Sequence, residues 1–225
     1  MTIKDWPAAE RPREKCLNRG VENLSDAELI AIIFGQGIAG CDAMQLARNA
    51  LKYSGGIGAL VTLERYRFAD LSGLGDAKYV ALHGSVEIGR RALRDTLERG
   101  LPITDAHAAK SFLTAELGNR PREAFCAFFL DNRHRLIAFE TLSIGTIDSA
   151  TVHPREVMKR VLDLKAAAGI FTHNHPSGIS EPSAADKSLT RTLCAALKLV
   201  DVRVLDHLVV AGPEIVSFAD LGLLD

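Results

Sequence analysis

The chain has 225 residues, enough for one large domain or two small ones, and its 47% hydrophobic content supports a buried core without disulfides or structural metals. Its formal net charge of -1 excludes a global field that would draw in nucleic acid or an anionic membrane. The two parts are equally balanced: residues 1–100 carry 14 basic against 13 acidic side chains and residues 101–225 carry 13 against 15.

The N-terminal stretch "MTIKDWPAAERPREK" lacks the apolar segment of a signal peptide, and no apolar run approaches the ~18 residues of a membrane-spanning helix. Cys16, Cys41, Cys126 and Cys194 are scattered, with no C-x-x-C pair. Such spacing predicts reduced thiols in a cytoplasmic protein with no membrane association.

From Pro12 to about Thr96 the apolar spacing is helical. "SDAELIAIIFGQG" opens on Ser25 as N-cap, with Glu28 at the capping-box position, and stops at Gly35. "DAMQLARNALKYSGG" starts at Asp42 and stops at Gly55. "DAKYVALHGSVEIGRRALRDTLERG" predicts one or two further helices, so this part reads as a small all-α domain. Between them, "LSGLGDAKYV" resembles the turn of the helix-hairpin-helix family, in which Gly-apolar-Gly meets DNA phosphates without reading sequence. By that resemblance Gly73, Leu74 and Gly75 face the phosphate, with Lys78, Arg90 and Arg91 adding charge. The alternative is a tight connection with no ligand, and Asp76 beside the turn would repel a phosphate.

The boundary is expected near Gly100–Pro102, giving domains 1–100 and 101–225. Beyond it strands alternate with helices. "EAFCAFFLD" reads as a strand buried on both faces, "RLIAFETLSIG" as its hairpin partner across Asp131–His134, and "HPREVMKRVLDLKAA" as a helix with Pro154 in its first turn. "AGIFTHNH" is a buried strand, "SAADKSLTRTLCAALKLV" a helix, and "VRVLDHLVVAG" and "EIVSFAD" late strands. The fold class is mixed α/β (α+β) behind a helical domain.

The chemistry concentrates in "THNHPSGISEPSAADKS". Side chains two apart on a strand share a face, so His173 and His175 aim at one point. Ser183 starts the next helix and Asp186 lies one turn in. Two imidazoles and a carboxylate make a three-ligand set with an open coordination position, the pattern of a catalytic rather than a structural zinc. Iron, manganese or nickel suit the same donors. Ser-x-x-Asp is also an ordinary helix cap, and the two roles are compatible. Three upstream acids are candidate proton acceptors: Glu123 at the head of the buried strand, Glu140 within the second strand, and Glu156 on the helix after Pro154. His207 reads as a core-edge hydrogen-bonding residue, with a supporting role at the site as the alternative.

At this point "HNHPSG" with its following S-x-x-D is similar to the JAMM/MPN metalloprotease motif. Together with "RPREKCLNRGVENLSDAELIAIIFGQG" and "SATVHPREVMKRVLDLKAAAGIFTHNHPSG", the chain from about Arg11 onward resembles the RadC family. The resemblance implies zinc ligation by His173, His175 and Asp186, and a Ser183 that holds a substrate carbonyl oxygen. It also implies Glu123 as general base, because the glutamate of that family precedes an apolar strand upstream of the histidines. The implied activity is a zinc-dependent hydrolase acting on a protein or peptide substrate at a peptide or isopeptide bond. The alternative is a DNA-associated, repair-linked protein whose metal site is accessory or inactive.

Overall fold

The computed structural model describes residues 5–98, 106–145 and 152–224. The chain divides into two compact units, Met1–Gly89 and Arg90–Asp225. The boundary expected near Gly100–Pro102 lies outside the described residues.

Unit 1 is helical: α1 (Pro12–Arg19), α2 (Asp26–Phe34), α3 (Ala43–Ser54), α4 (Ile57–Leu60), α5 (Arg65–Ala69) and the start of α6 (Asp76–Glu98). Its helix ends follow local chemistry. Ser25 and Glu28 close a reciprocal capping box at α2, which stops at Gly35 with φ 73°. Asp42 accepts the Gln45 N–H at 2.8 Å to start α3, which stops at left-handed Gly55. Ile30, Phe34, Leu46, Leu60, Phe68, Leu74 and Leu82 fill the core. The stretch expected to form one or two helices is the single 23-residue α6.

Unit 2 carries α7 (Ala106–Leu117), β1 (Ala124–Leu130), β2 (Leu136–Ile144), α8 (Pro154–Asp163), β3 (Ala168–Asn174), α9 (Ala184–Lys198), β4 (Arg203–Ala211) and β5 (Glu214–Ser217). The sheet order is β2-β1-β3-β4-β5, with β3 and β4 parallel and the other neighbours antiparallel. Alternation sorts β1 between two cores. Ala124, Cys126, Phe128 and Leu130 meet Phe112, Leu113 and Leu117 of α7. Phe125, Ala127 and Phe129 meet Val157 and Val161 of α8 and Leu193 and Leu197 of α9. Every residue of β1 is buried, as its unbroken apolar run demands. The β1–β2 hairpin turns at Asp131, whose carboxylate accepts the Arg133 and Arg135 N–H groups, and His134 takes the positive φ of 57°.

This topology positions the site. β3 lies at the centre of the sheet, and its C-terminal end delivers the chain directly to the start of α9. Parallel pairing then returns β4 along the other side of β3, placing Phe171 beside His207 and His173 beside Val209. The start of the crossover helix therefore meets the strand before it and the strand after it at one end of the sheet, near its middle.

Candidate metal centre

His173 is the penultimate residue of β3, and His175 follows its last residue, Asn174, at the entry to the Pro176–Gly178 turn. His173 is 1% exposed and its ring stacks on Phe125, 6.2 Å between centroids and 19° from parallel. His175 is half-buried; its N–H donates to Val210 O at 2.8 Å, which extends the β3–β4 ladder and holds the backbone beyond the strand. The two Nε2 atoms lie 2.9 Å apart.

α9 brings the carboxylate. Ser183 caps the helix and Asp186 closes the capping box. Ser183 donates to Asp186 Oδ2 from both its backbone N–H, at 2.7 Å, and its hydroxyl, at 2.6 Å. Those two bonds leave Oδ1 toward the rings: it lies 3.2 Å from His173 Nε2, and Oδ2 lies 3.4 Å from His175 Nε2. Burial by itself would raise the Asp186 carboxyl, but His173 and His175 facing it hold it well below the usual carboxylate range. His175 is raised above its ordinary value, chiefly by the hydrogen bond to Asp186, against the opposing effect of burial.

These donors fit a metal. Tetrahedral ligands at the usual zinc–nitrogen distance sit roughly 3.3 Å from one another. The two Nε2 atoms are 2.9 Å apart, and the carboxylate oxygen nearer each ring, Oδ1 for His173 and Oδ2 for His175, lies 3.2 and 3.4 Å away, close to that value. The protons agree. His175 Nδ1 lies 2.6 Å from Ile179 O. A carbonyl only accepts, so His175 Nδ1 carries a proton and donates to it, and Nε2 is the ring atom that faces Asp186 and His173. Among the described residues, His173, His175 and Asp186 are the group whose ligand atoms gather closely enough to hold an ion.

Behind the rings lies a polar chain in which His207 takes the supporting place that the sequence offered as its alternative role. His207 is fully buried and boxed by Phe125, Phe171 and Phe218. Its Nε2 lies 2.9 Å from His173 Nδ1 and its Nδ1 lies 2.6 Å from Thr190 Oγ1. Burial, with the neighbouring His173, pulls the His207 pKa down to about 3, so the ring is neutral. The core-edge bond expected first gives way to the alternative, because the fully buried ring bonds His173 itself. Thr190 went unnamed in the sequence, although it stands four residues after Asp186 on the same helix face.

Glu123 immediately precedes β1 and is half-buried. Phe125 pairs with His173, so continuing the antiparallel register by two residues sets Glu123 opposite His175, on the same sheet face. Its charge contributes to raising His175. The backbone around it is clamped. Asn174, between the two histidines and pointing to the other face, accepts the Ala124 N–H at 2.8 Å and donates to Arg120 O and Arg122 O at 3.2 Å. Glu123 O accepts the Gly145 N–H at 2.8 Å.

The remaining candidates are occupied elsewhere. Glu140 forms a two-pronged pair with Arg160, at 2.6 and 2.5 Å, which lowers its carboxyl. Glu156 is exposed beside Arg155. In unit 1, Gly73 takes φ 90° and a Cβ there would lie 2.9 Å from Ile38, so the turn needs glycine. Leu74 is 2% exposed and belongs to the core, while Gly75 O accepts the Lys78 and Tyr79 N–H groups that start α6.

A five-stranded sheet that presents a histidine pair at the end of its central strand, and an aspartate at the start of the next helix, defines a JAB-type domain of the metalloprotease-like class. Residues 103–223 match the family model described as the RadC-like JAB domain, and residues 3–80 match the UPF0758 N-terminal model. The chain belongs to this RadC-like, UPF0758 family. It is 53% identical to a UPF0758 protein of Nitrosococcus oceani and 54% identical to one of Thioalkalivibrio sulfidiphilus, with 100% of both chains covered in each comparison. A UPF0758 protein of Chromohalobacter salexigens is 53% identical over the same full length.

Proposed function

We propose that the protein is a metal-dependent hydrolase of metallopeptidase type, acting on a peptide or isopeptide bond, with zinc as the metal. The observation that carries this reading is the meeting of two imidazole Nε2 atoms and a carboxylate at 2.9 to 3.4 Å, with a glutamate on the same sheet face. His173, His175 and Asp186 hold the cation. A divalent cation supplies Lewis-acid polarisation of a carbonyl and lowers the pKa of a water molecule.

The chain's own residues then have separate tasks. Glu123 accepts the proton of the attacking water and returns it to the leaving amine nitrogen as the C–N bond breaks. Ser183 is exposed beside Asp186 and offers its hydroxyl to the carbonyl oxygen as negative charge develops. That task requires its proton to turn away from Asp186 Oδ2, so Ser183 exchanges one acceptor for another rather than supplying a free donor. The Asn174 clamp keeps Glu123 opposite His175 throughout.

The test joins metal analysis to turnover. Purified protein is expected to hold about one zinc per chain, lost in His173→Ala, and to cleave members of a peptide and isopeptide library. Glu123→Gln is expected to keep the metal and lose cleavage. Metal-loaded protein that cleaves no library member would count against the hydrolase reading.

A second reading concerns unit 1. The objection to a phosphate at the Gly73–Gly75 turn is Asp76, but Arg65 holds that carboxylate with two bonds, at 2.8 and 2.6 Å. Neutralising the acid leaves the start of α6 open to DNA backbone contact. Fluorescence anisotropy of a labelled duplex with the full chain tests it. Binding that weakens with salt and with Gly75→Asp supports the reading, and absence of binding at low salt removes it.

A further inference from the structure

The loop that joins β3 to α9 is pinned along its length. It runs from His175 to Ser183 and reads "HPSGISEPS". Gly178 takes φ 76° and donates its N–H to His175 O at 3.0 Å, which closes the first turn. Ile179 is then held at both ends of its backbone. Its N–H donates to Ser177 Oγ at 3.3 Å, and its carbonyl accepts from His175 Nδ1 at 2.6 Å. One residue on, the Ser180 hydroxyl donates to Glu214 Oε2 at 2.9 Å and ties the loop to the first residue of β5. Pro182 is buried and leads into the α9 cap.

On this loop stands one large aliphatic side chain. Ile179 is 64% exposed, and among the described residues from His173 to Lys187 it is the only large hydrophobic so exposed. A lone exposed isoleucine is ordinary on a surface. Two observations set this one apart. The first is its place: its own carbonyl holds the ring of His175, so that ring alone separates Ile179 from the cluster of Nε2 and carboxylate atoms. Ile144, also exposed at this end of the sheet, pairs with Ala124 and so points to the face away from the histidines. The second is its fixity. With N–H and carbonyl both bonded, and a β-branched side chain stiff at χ1, the isoleucine holds its apolar surface out to solvent. A surface set in advance loses little freedom when a ligand covers it.

We infer that Ile179 is a specificity-determining residue, and that the site takes a peptide or isopeptide with an apolar residue beside the scissile bond. The inference rests on the hydrolase reading above for what is cleaved. A substrate carbonyl between the cluster and Ser183 leaves the next residue about 3.5 Å further along an extended chain. Where that chain runs toward the loop, the step brings its side chain over the His175 ring to Ile179. An aliphatic side chain there takes apolar surface of both partners out of water. A polar one gives up water and finds no partner on Ile179, whose N–H and carbonyl are already bonded.

The experiment uses the full zinc-loaded chain and paired peptides, joined by peptide or isopeptide bonds and alike except for leucine or serine on one side or the other of the scissile bond. At one of the two positions the unaltered protein is expected to favour leucine by about 10-fold in kcat/KM, and Ile179→Ser to bring that ratio within about twofold of unity. Ile179→Val keeps the aliphatic surface and is expected to keep the preference. A ratio unchanged in Ile179→Ser overturns the inference, as does the absence of a leucine preference in the unaltered protein. A second readout needs no turnover. Zinc-loaded Glu123→Gln protein with 13C-labelled isoleucine methyl groups is titrated with the same peptides, the Ile179 signal being assigned by its loss on adding Ile179→Val. Leucine peptides are expected to shift that signal and serine peptides to leave it in place. If the unaltered protein cleaves no peptide, the hydrolase reading falls and the methyl titration alone decides. A shift with leucine peptides only then sustains the apolar subsite, and no shift, or an equal shift with both, overturns it. The same titration decides if Ile179→Ser cleaves neither member of a pair.

Discussion

Replacing Asn174 by alanine deletes three hydrogen bonds from a residue that is only 2% exposed: one from Ala124 N–H and two to Arg120 O and Arg122 O. Each such bond contributes about 1 kcal/mol net, and a buried N–H left without a partner costs more, so the expected loss is about 3 kcal/mol. For a unit of this size that corresponds to a fall in Tm of about 10 °C, read by calorimetry. The loss should be selective in function. The candidate metal ligands point to the opposite face of the sheet from Asn174 or sit on α9, and none of the three bonds removed is made to them, so zinc affinity should change little. Glu123 lies inside the segment that Asn174 holds, and a displacement of the base by ~1 Å costs about 100-fold in turnover. A variant that melts within ~2 °C of the parent would show that the clamp is not what holds the 120–124 segment, and the account of how Glu123 is placed would fail with it.

Three other substitutions or treatments test separate parts of the structure. Gly118→Ala would set a Cβ 2.6 Å from Thr114 O and 2.8 Å from Gly212 O, both backbone, so a loss of about 1–3 kcal/mol in urea denaturation is expected. Glu140→Gln breaks the pair with Arg160, whose partners are 29% and 39% exposed, and should cost under about 1 kcal/mol at neutral pH. Arg160 depresses the Glu140 carboxyl in the folded state, so the pair's contribution is present above the unfolded carboxylate pKa and fades as pH falls through the folded one; the gap between variant and parent should close on acidification. Saturating zinc at ~100 times its Kd should raise the stability of the unaltered protein by about 2.7 kcal/mol and chelation should reverse it, whereas His173→Ala should respond to neither.

Much of the site was legible because its parts obey local periods. His-x-His shares a face through the two-residue period of a strand, and Ser183 and Asp186 are joined by the geometry of a helix start. The same is true of the Ser25–Glu28 box and of the unbroken apolar run of β1. Glu123 was a different matter. Composition and spacing left it level with Glu140 and Glu156, and only resemblance ranked it first; the β1–β3 register then set it opposite His175, while Arg160 and Arg155 took the other two acids.

Asn174 and His207 carry no local signal of what they do. Asn174 bonds to residues 50 to 54 positions away, and His207 to one 34 positions away. Those separations are closed by strand pairing and by the α9 crossover, which depend on how whole elements bury their apolar faces. Short-range periodicity therefore determined the candidate ligands, while the tertiary structure alone decided what holds them in place, because a hydrogen bond between distant residues exists only once the sheet has chosen its register.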